Sequence, residues 1–137
     1  MVKLRQYIPR VAAGAFILNS GLNKRNADEA TAQGIHGMAA GTFPFLEDQD
    51  PVQFTRTLST TEISLGTALL VPFVPTGVVA LGLGAFSAGL VAMYLKTPGM
   101  TESDGIRPTP QGIGLAKDVF LLGIAGGLLV DALSRKK

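Results

Sequence analysis

Lys24, Arg56, Glu62, Lys117 and Asp118 are charged residues set inside, or at the ends of, stretches otherwise built from apolar residues. In hydrocarbon such groups pair with one another, bind a polar ligand group or carry protons. Helix arithmetic makes Asp118 informative. Asp118 and Asp131 are 13 residues apart, or ~20 Å along a helix at 1.5 Å per residue, whereas the hydrocarbon core is ~30 Å thick. Asp131 precedes Ser134-Arg-Lys-Lys137 and suits the interface, paired with Arg135 at i+4. Asp118 is then drawn below the opposite boundary by up to ~10 Å. Lys24, Lys117 and Glu62 fall at a comparable depth, with Arg56 about a turn and a half further out. Neighbours on a helix point ~100° apart, so Lys117 and Asp118 address different partners. The spacing predicts Asp118 against Lys24 or Arg56, and Lys117 against Glu62. This polar cluster has two readings, a clamp that fixes helix register or a site for a headgroup, a quinone ring or a proton. Arg10 is less demanding, since a long side chain near a helix end snorkels to the interface.

Other reactive constellations are sparse. With no cysteine in the sequence, thiolate chemistry, disulfides, cysteine-ligated zinc and iron–sulfur clusters are excluded. His36 is the single histidine, too few for a bis-histidine haem or a three-histidine zinc site, and reads as a solvated loop residue. Ser20, Ser59 and Ser64 have no histidine nearby in sequence to activate them. Catalytic and metal-ligating residues are therefore expected to be absent. Gly82-LGAFSA-Gly89 superficially resembles a dinucleotide loop, yet it lies in an apolar stretch with no strand before it. It reads better as helix packing through Gly84/Ala88 and Ala85/Gly89, and Gly123-IAG-Gly127 invites the same reading.

The elements that must hold these residues are helices. Ile63–Leu95 is a run of 33 residues without a charge, longer than the ~20 apolar residues of one bilayer span. Pro72 and Pro75 divide it where a helix breaks and turns back. Only 16% of the chain is charged and its mean hydropathy is +0.34, against ~25% charge in average soluble domains. The pattern predicts an all-α membrane protein, a four-helix transmembrane bundle spanning about 7–21, 54–71, 77–95 and 112–133 as one integral domain over residues 1–137. Asp50-Pro51 and Thr109-Pro110 supply an N-cap followed by proline at the first helical position of spans two and four. The segment 24–50 is predicted to carry a short interfacial helix from Asn26 to Ala40, with Phe43, Phe45 and Leu46 reaching the headgroups. Lys3, Arg5 and Arg10 before Val11–Leu18 are a possible signal peptide. Charges resume at Lys24 and Arg25 without a small-x-small cleavage site, so a retained first helix is expected.

Four spans place both termini on one side. Lys3, Arg5, Arg10, Arg135, Lys136 and Lys137 gather there against Asp131 alone, while the other nine acidic residues lie opposite. The positive-inside rule then puts both termini in the cytoplasm. The net charge of +2 is too small to suggest nucleic acid, and membrane lipids are the expected surroundings.

The first span, Arg10-VAAGAFILNSGLN-Lys24, resembles a pattern of the DoxX family of small bacterial membrane proteins. Glu62-ISLGTAL-Leu70 is similar to that family's glutamate-led second helix, and Lys117-DVFLL-Gly123 to its lysine–aspartate motif. The resemblance covers most of the chain and implies a four-helix inner-membrane protein with cytoplasmic termini. It implies a polar core of Arg10, Lys24, Glu62, Lys117 and Asp118, and a link to membrane oxidoreductase systems. Relatives belong to a thiosulfate:quinone oxidoreductase and, in mycobacteria, to an assembly with superoxide dismutase and a sulfurtransferase. The absent cysteine and the long 25–50 segment depart from the family pattern. The expected function is a non-catalytic accessory or assembly subunit of a membrane-bound redox or respiratory complex, partnered by other integral membrane subunits and holding no cofactor. The alternative is a quinone-linked oxidoreductase subunit using the polar cluster.

Overall fold

A computed structural model describes residues 3–110 and 112–134. Its regular elements are helices: α1 (Leu4–Lys24), α2 (Glu29–Thr42), a single 3-10 turn (Pro44–Leu46), α3 (Pro51–Leu70), α4 (Thr76–Lys96), α5 (Ile113–Ala116) and α6 (Asp118–Ser134). An isolated antiparallel bridge, Thr101–Pro108, pins the loop between α4 and α5. The all-α expectation holds.

Local chemistry accounts for most boundaries. The Asp50 carboxylate accepts from the Gln53 N–H at 3.0 Å, with Pro51 at the first helical position, so α3 starts at Pro51, where the Asp50-Pro51 pair is expected to start it. It stops at Leu70, and α4 begins at Thr76 just after Pro75, because Pro72 and Pro75 have no N–H to continue a helix. Asp28 caps α2 through the Thr31 N–H at 2.8 Å, giving the expected helix in the 24–50 segment a slightly later frame. The last element differs from expectation. The Thr109 hydroxyl accepts from the Gly112 N–H at 3.1 Å and closes a turn rather than the helix itself. The helix starts at Ile113, and Lys117 interrupts it before α6.

The helices associate as two pairs, α1 with α3 and α4 with α6, and α2 lies against α3 and α4. Ala13, Ile17, Leu69, Val79, Leu83, Leu121 and Ala125 form the core where the pairs meet. The usual distribution of polarity is partly inverted. Gln6, Arg10, Ser59, Glu62, Ser87 and Asp118 are buried, while Leu4, Ile8, Phe16, Leu81, Phe120 and Val130 face outward. Among the described residues, two segments, α4 and residues 113–134, are long and apolar enough to cross a membrane. The outward face of α3 is of another kind: Thr57, Thr60, Thr61, Ser64 and Thr67 are exposed along it. Such a face lowers the apolar content of the second expected span.

Candidate functional site

The site begins with a close helix crossing. A Cβ built on Gly66 of α3 would lie 2.7 Å from the Leu18 backbone nitrogen and 2.9 Å from the Gly14 oxygen. One built on Gly21 of α1 would lie 2.9 Å from the Ile63 nitrogen. Only hydrogen atoms separate the two backbones at these points, and the Ser59 hydroxyl reinforces the contact by donating to the Gly21 carbonyl at 2.7 Å. These three glycines escape the sequence reasoning, which looks for the tight packing on α4 and α6. Their signal is the seven-residue spacing of Gly14 and Gly21, which puts both on one face of α1.

That crossing sets the C-terminal end of α1 beside the middle of α3. Lys24 Nζ lies 3.0 Å from Glu62 Oε1 in an ion pair and 3.4 Å from Oε2. Ser20, one turn back on α1, accepts from Lys24 Nζ at 2.6 Å and donates to Glu62 Oε2 at 3.1 Å. The Glu62 side chain is 5% exposed. Glu62 is thus partnered by Lys24 instead of Lys117, and Lys117 is exposed at the break before α6. The reason is helix pairing: α1 packs on α3, whereas Lys117 belongs to the other pair. Arg56 is also outside the cluster, exposed beside Arg25 and Thr60 in a groove on the outer side of α3. Lys24, Glu62 and Asp118 are the members of the expected cluster that come together.

Asp118 closes the arrangement from α6. It is 8% exposed and sits within Coulomb range of both Lys24 and Glu62, yet no described residue hydrogen-bonds its carboxylate. It borders a cavity of about 530 Å³ together with Ser20, Lys24 and Glu62. The remaining walls include Phe16, Ile35, Phe86 and Leu90. The Ser20–Lys24 contact has the distance of a serine–lysine dyad, and Glu62 engages the same Nζ.

A second polar centre occupies the other end of α1. Arg10, which is 0% exposed, directs all five of its N–H groups inward. Nε donates to the Leu69 carbonyl at 3.0 Å, and Nη2 to the Ala68 and Val71 carbonyls at 2.9 Å each. Nη1 reaches the Val74 carbonyl at 2.9 Å and the Thr76 hydroxyl at 3.1 Å. Tyr7 adds a bond to the Leu70 carbonyl at 2.7 Å. The last carbonyls of a helix have no partner within it, and a cation there complements the helix dipole. Arg10 is therefore a buried C-terminal cap for α3 and does not snorkel to the interface. Thr76 passes the network to Gln6, and Gln6 with Arg5 engages Asp131 at 2.5 and 2.9 Å. The Arg135 partner expected for Asp131 lies outside the described residues.

His36 departs from the solvated-loop reading. It is buried, its Nε2 lies 2.7 Å from the Leu46 carbonyl oxygen, and its ring meets Phe54 edge-on at 5.4 Å. Folding of α2 onto α3 puts it there. Among the small residues expected to pack helices, Gly84 faces Ala125, where an added Cβ would lie 3.7 Å away. Ala85, Ala88, Gly123 and Gly127 are exposed, and Gly89, Gly123 and Gly127 have open space above them. Among the described residues no group of three or more histidine, aspartate or glutamate side chains is placed to hold a metal ion. Searches against protein families, curated proteins and solved structures find no match for this chain.

Proposed function

We propose that the chain is a DoxX-like, multi-pass protein of the bacterial inner membrane, with four spans and cytoplasmic termini. It serves as a non-catalytic accessory or assembly subunit of a membrane-bound redox or respiratory complex. The observation that carries this reading is the outward face of α3. Thr57, Thr60, Thr61, Ser64 and Thr67 line it in a molecule whose other long helices turn large apolar side chains outward. Lipid gives hydroxyl groups no partners, whereas helix–helix contacts in membranes are enriched in serine, threonine and small residues. Three of these hydroxyls are satisfied within α3 by bonding back one turn, Thr57 to Gln53, Thr60 to Arg56 and Thr61 to Thr57. The face is thus stable alone and remains smooth enough for a second helix.

Purification of the tagged chain from its native membrane in mild detergent tests the reading. Integral subunits of an oxidoreductase are expected to co-purify, and a Thr60→Leu/Thr61→Leu variant is expected to lose them while keeping its helix content. A stable monomer with no membrane partner overturns the proposal.

A further inference from the structure

The cavity has an unmatched acceptor in its polar corner. Ser20 and Lys24 hydrogen-bond Glu62 through Oε2, and the Lys24 and Glu62 charges pair at 3.0 Å, while Glu62 Oε1 has no hydrogen-bond partner among the described residues. Asp118 comes from a different helix, is 8% exposed, borders the cavity, and has no hydrogen-bond partner among the described residues. A buried carboxylate without a hydrogen-bond partner is unfavourable, and a ligand donor relieves it. Nothing in the crossing of α1 with α3 requires an acidic residue at this place on α6. The rest of the chamber is apolar, with Phe16, Ile35, Phe86 and Leu90 among its walls. Its volume of about 530 Å³ falls within the ~300–1,000 Å³ of small-molecule sites, which pair apolar walls with a few placed polar groups.

We propose that this cavity is a binding site for a hydroxyl-headed amphiphile, an alcohol or phenol on an apolar body. Its O–H donates to the Asp118 carboxylate, and its oxygen accepts from the Lys24 ammonium that also serves Ser20 and Glu62. The apolar body lies among the aromatic and aliphatic walls. Competing head chemistries fit less well. A cationic head meets the Lys24 ammonium in the same corner, and a head that only accepts leaves Asp118 as unmatched as before. Gly34 and Gly114 border the chamber, and a Cβ added at either meets nothing within 4 Å. The inference is independent of whether the chain joins a complex.

The test is photolabelling of the purified full chain in phosphatidylcholine vesicles. The probe is an alkylphenol with a diazirine at the end of its tail, and the competitors are para-hexylphenol, its methyl ether and duroquinone. Labelling is expected to saturate at one probe per chain on peptides of α2 and α4. The phenol should compete about tenfold better than the ether, equivalent to about 1.4 kcal/mol, the net size of one hydrogen bond. Asp118→Leu, which removes both accepting oxygens, should erase that preference, and Gly34→Leu should reduce saturable labelling several-fold with helix content unchanged. If Asp118→Leu does not accumulate, the phenol–ether contrast and Gly34→Leu decide alone. Labelling spread over outward-facing residues such as Phe120 and Val130 without competition overturns the proposal. Equal competition by phenol and ether, or stronger competition by the acceptor-only quinone, overturns it as well.

Discussion

Arg10 and Glu62 are buried ions solved in two ways, one by backbone carbonyls and one by an opposite charge. Removing one member of a buried ion pair leaves the other uncompensated, a loss of about 3–5 kcal/mol. Lys24→Met is therefore expected to destabilise the protein by about 3 kcal/mol, because Glu62 stays 4% exposed without its cation. The double variant Lys24→Met/Glu62→Gln should recover most of that loss, and thermal unfolding in detergent as a double-mutant cycle measures the coupling. Full additivity of the two single effects would contradict the pairing. The depth of these charges is legible in the sequence, since residue count converts directly into ångströms along a helix. Their partners are not, because depth says nothing of azimuth: Lys24 and Lys117 stand at similar heights, yet only Lys24 lies on a helix that touches α3. The five carbonyl and hydroxyl contacts of Arg10 have no sequence signal either, as the acceptors are mostly backbone atoms some 60 residues away.

At the scale of elements, helix ends are read well where the cue is local. Asp50-Pro51 starts α3 as its types dictate, and Pro72 and Pro75 end one helix and free the next. Thr109-Pro110 shows the limit of such cues, since the same pairing closes a turn when the chain packs differently behind it. Which helices touch is a matter of shape, set by glycines of α1 and α3. Gly66→Ala is expected to weaken folding by several times the ~0.5–1 kcal/mol that alanine normally gains over glycine in a helix, because the new methyl meets backbone atoms that cannot rotate away. Gly127→Ala, with open space above it, should be neutral or stabilising, and the two unfolding midpoints compared in one detergent decide the matter. The N-terminus of α2 carries a pH dependence. The Thr31 backbone N–H holds the Asp28 carboxyl below its usual range. A carboxylate so depressed contributes fully above its unfolded value of ~3.9 and loses that contribution as pH falls through the lower folded value. Protection of the Thr31 amide, corrected for intrinsic exchange, should therefore fall below about pH 4. Asp28→Asn keeps the accepting oxygen and should remove the dependence.

For the whole molecule, the sequence and the structure agree on helices, and the structure shows an inverted distribution of polarity, with Gln6, Arg10 and Glu62 inside and Leu4, Ile8 and Phe16 outside. Composition alone does not separate four spans from two. The hydroxyls of α3 dilute its hydropathy even though they decorate one face only. The natural lack of cysteine makes the topology directly measurable by single-cysteine labelling in sealed vesicles. Ala30→Cys on exposed α2 and Ser103→Cys in the loop after α4 are expected to react with an impermeant maleimide from the same side. Lys3→Cys should react only from the opposite side. Reaction of all three from one side would remove the four-span arrangement.

Synthesis order gives Arg10 a further role. In a hydrocarbon setting the last carbonyls of α3 have no water to turn to, at several kcal/mol for each one left bare. The guanidinium that serves them belongs to the first helix made, while the carbonyls come from residues 68–74. During synthesis the cation is present first and can rest among water and headgroups at the membrane face until the later segment arrives. In such a setting the order of the chain suits the junction, because the donor is made before the carbonyls that it serves.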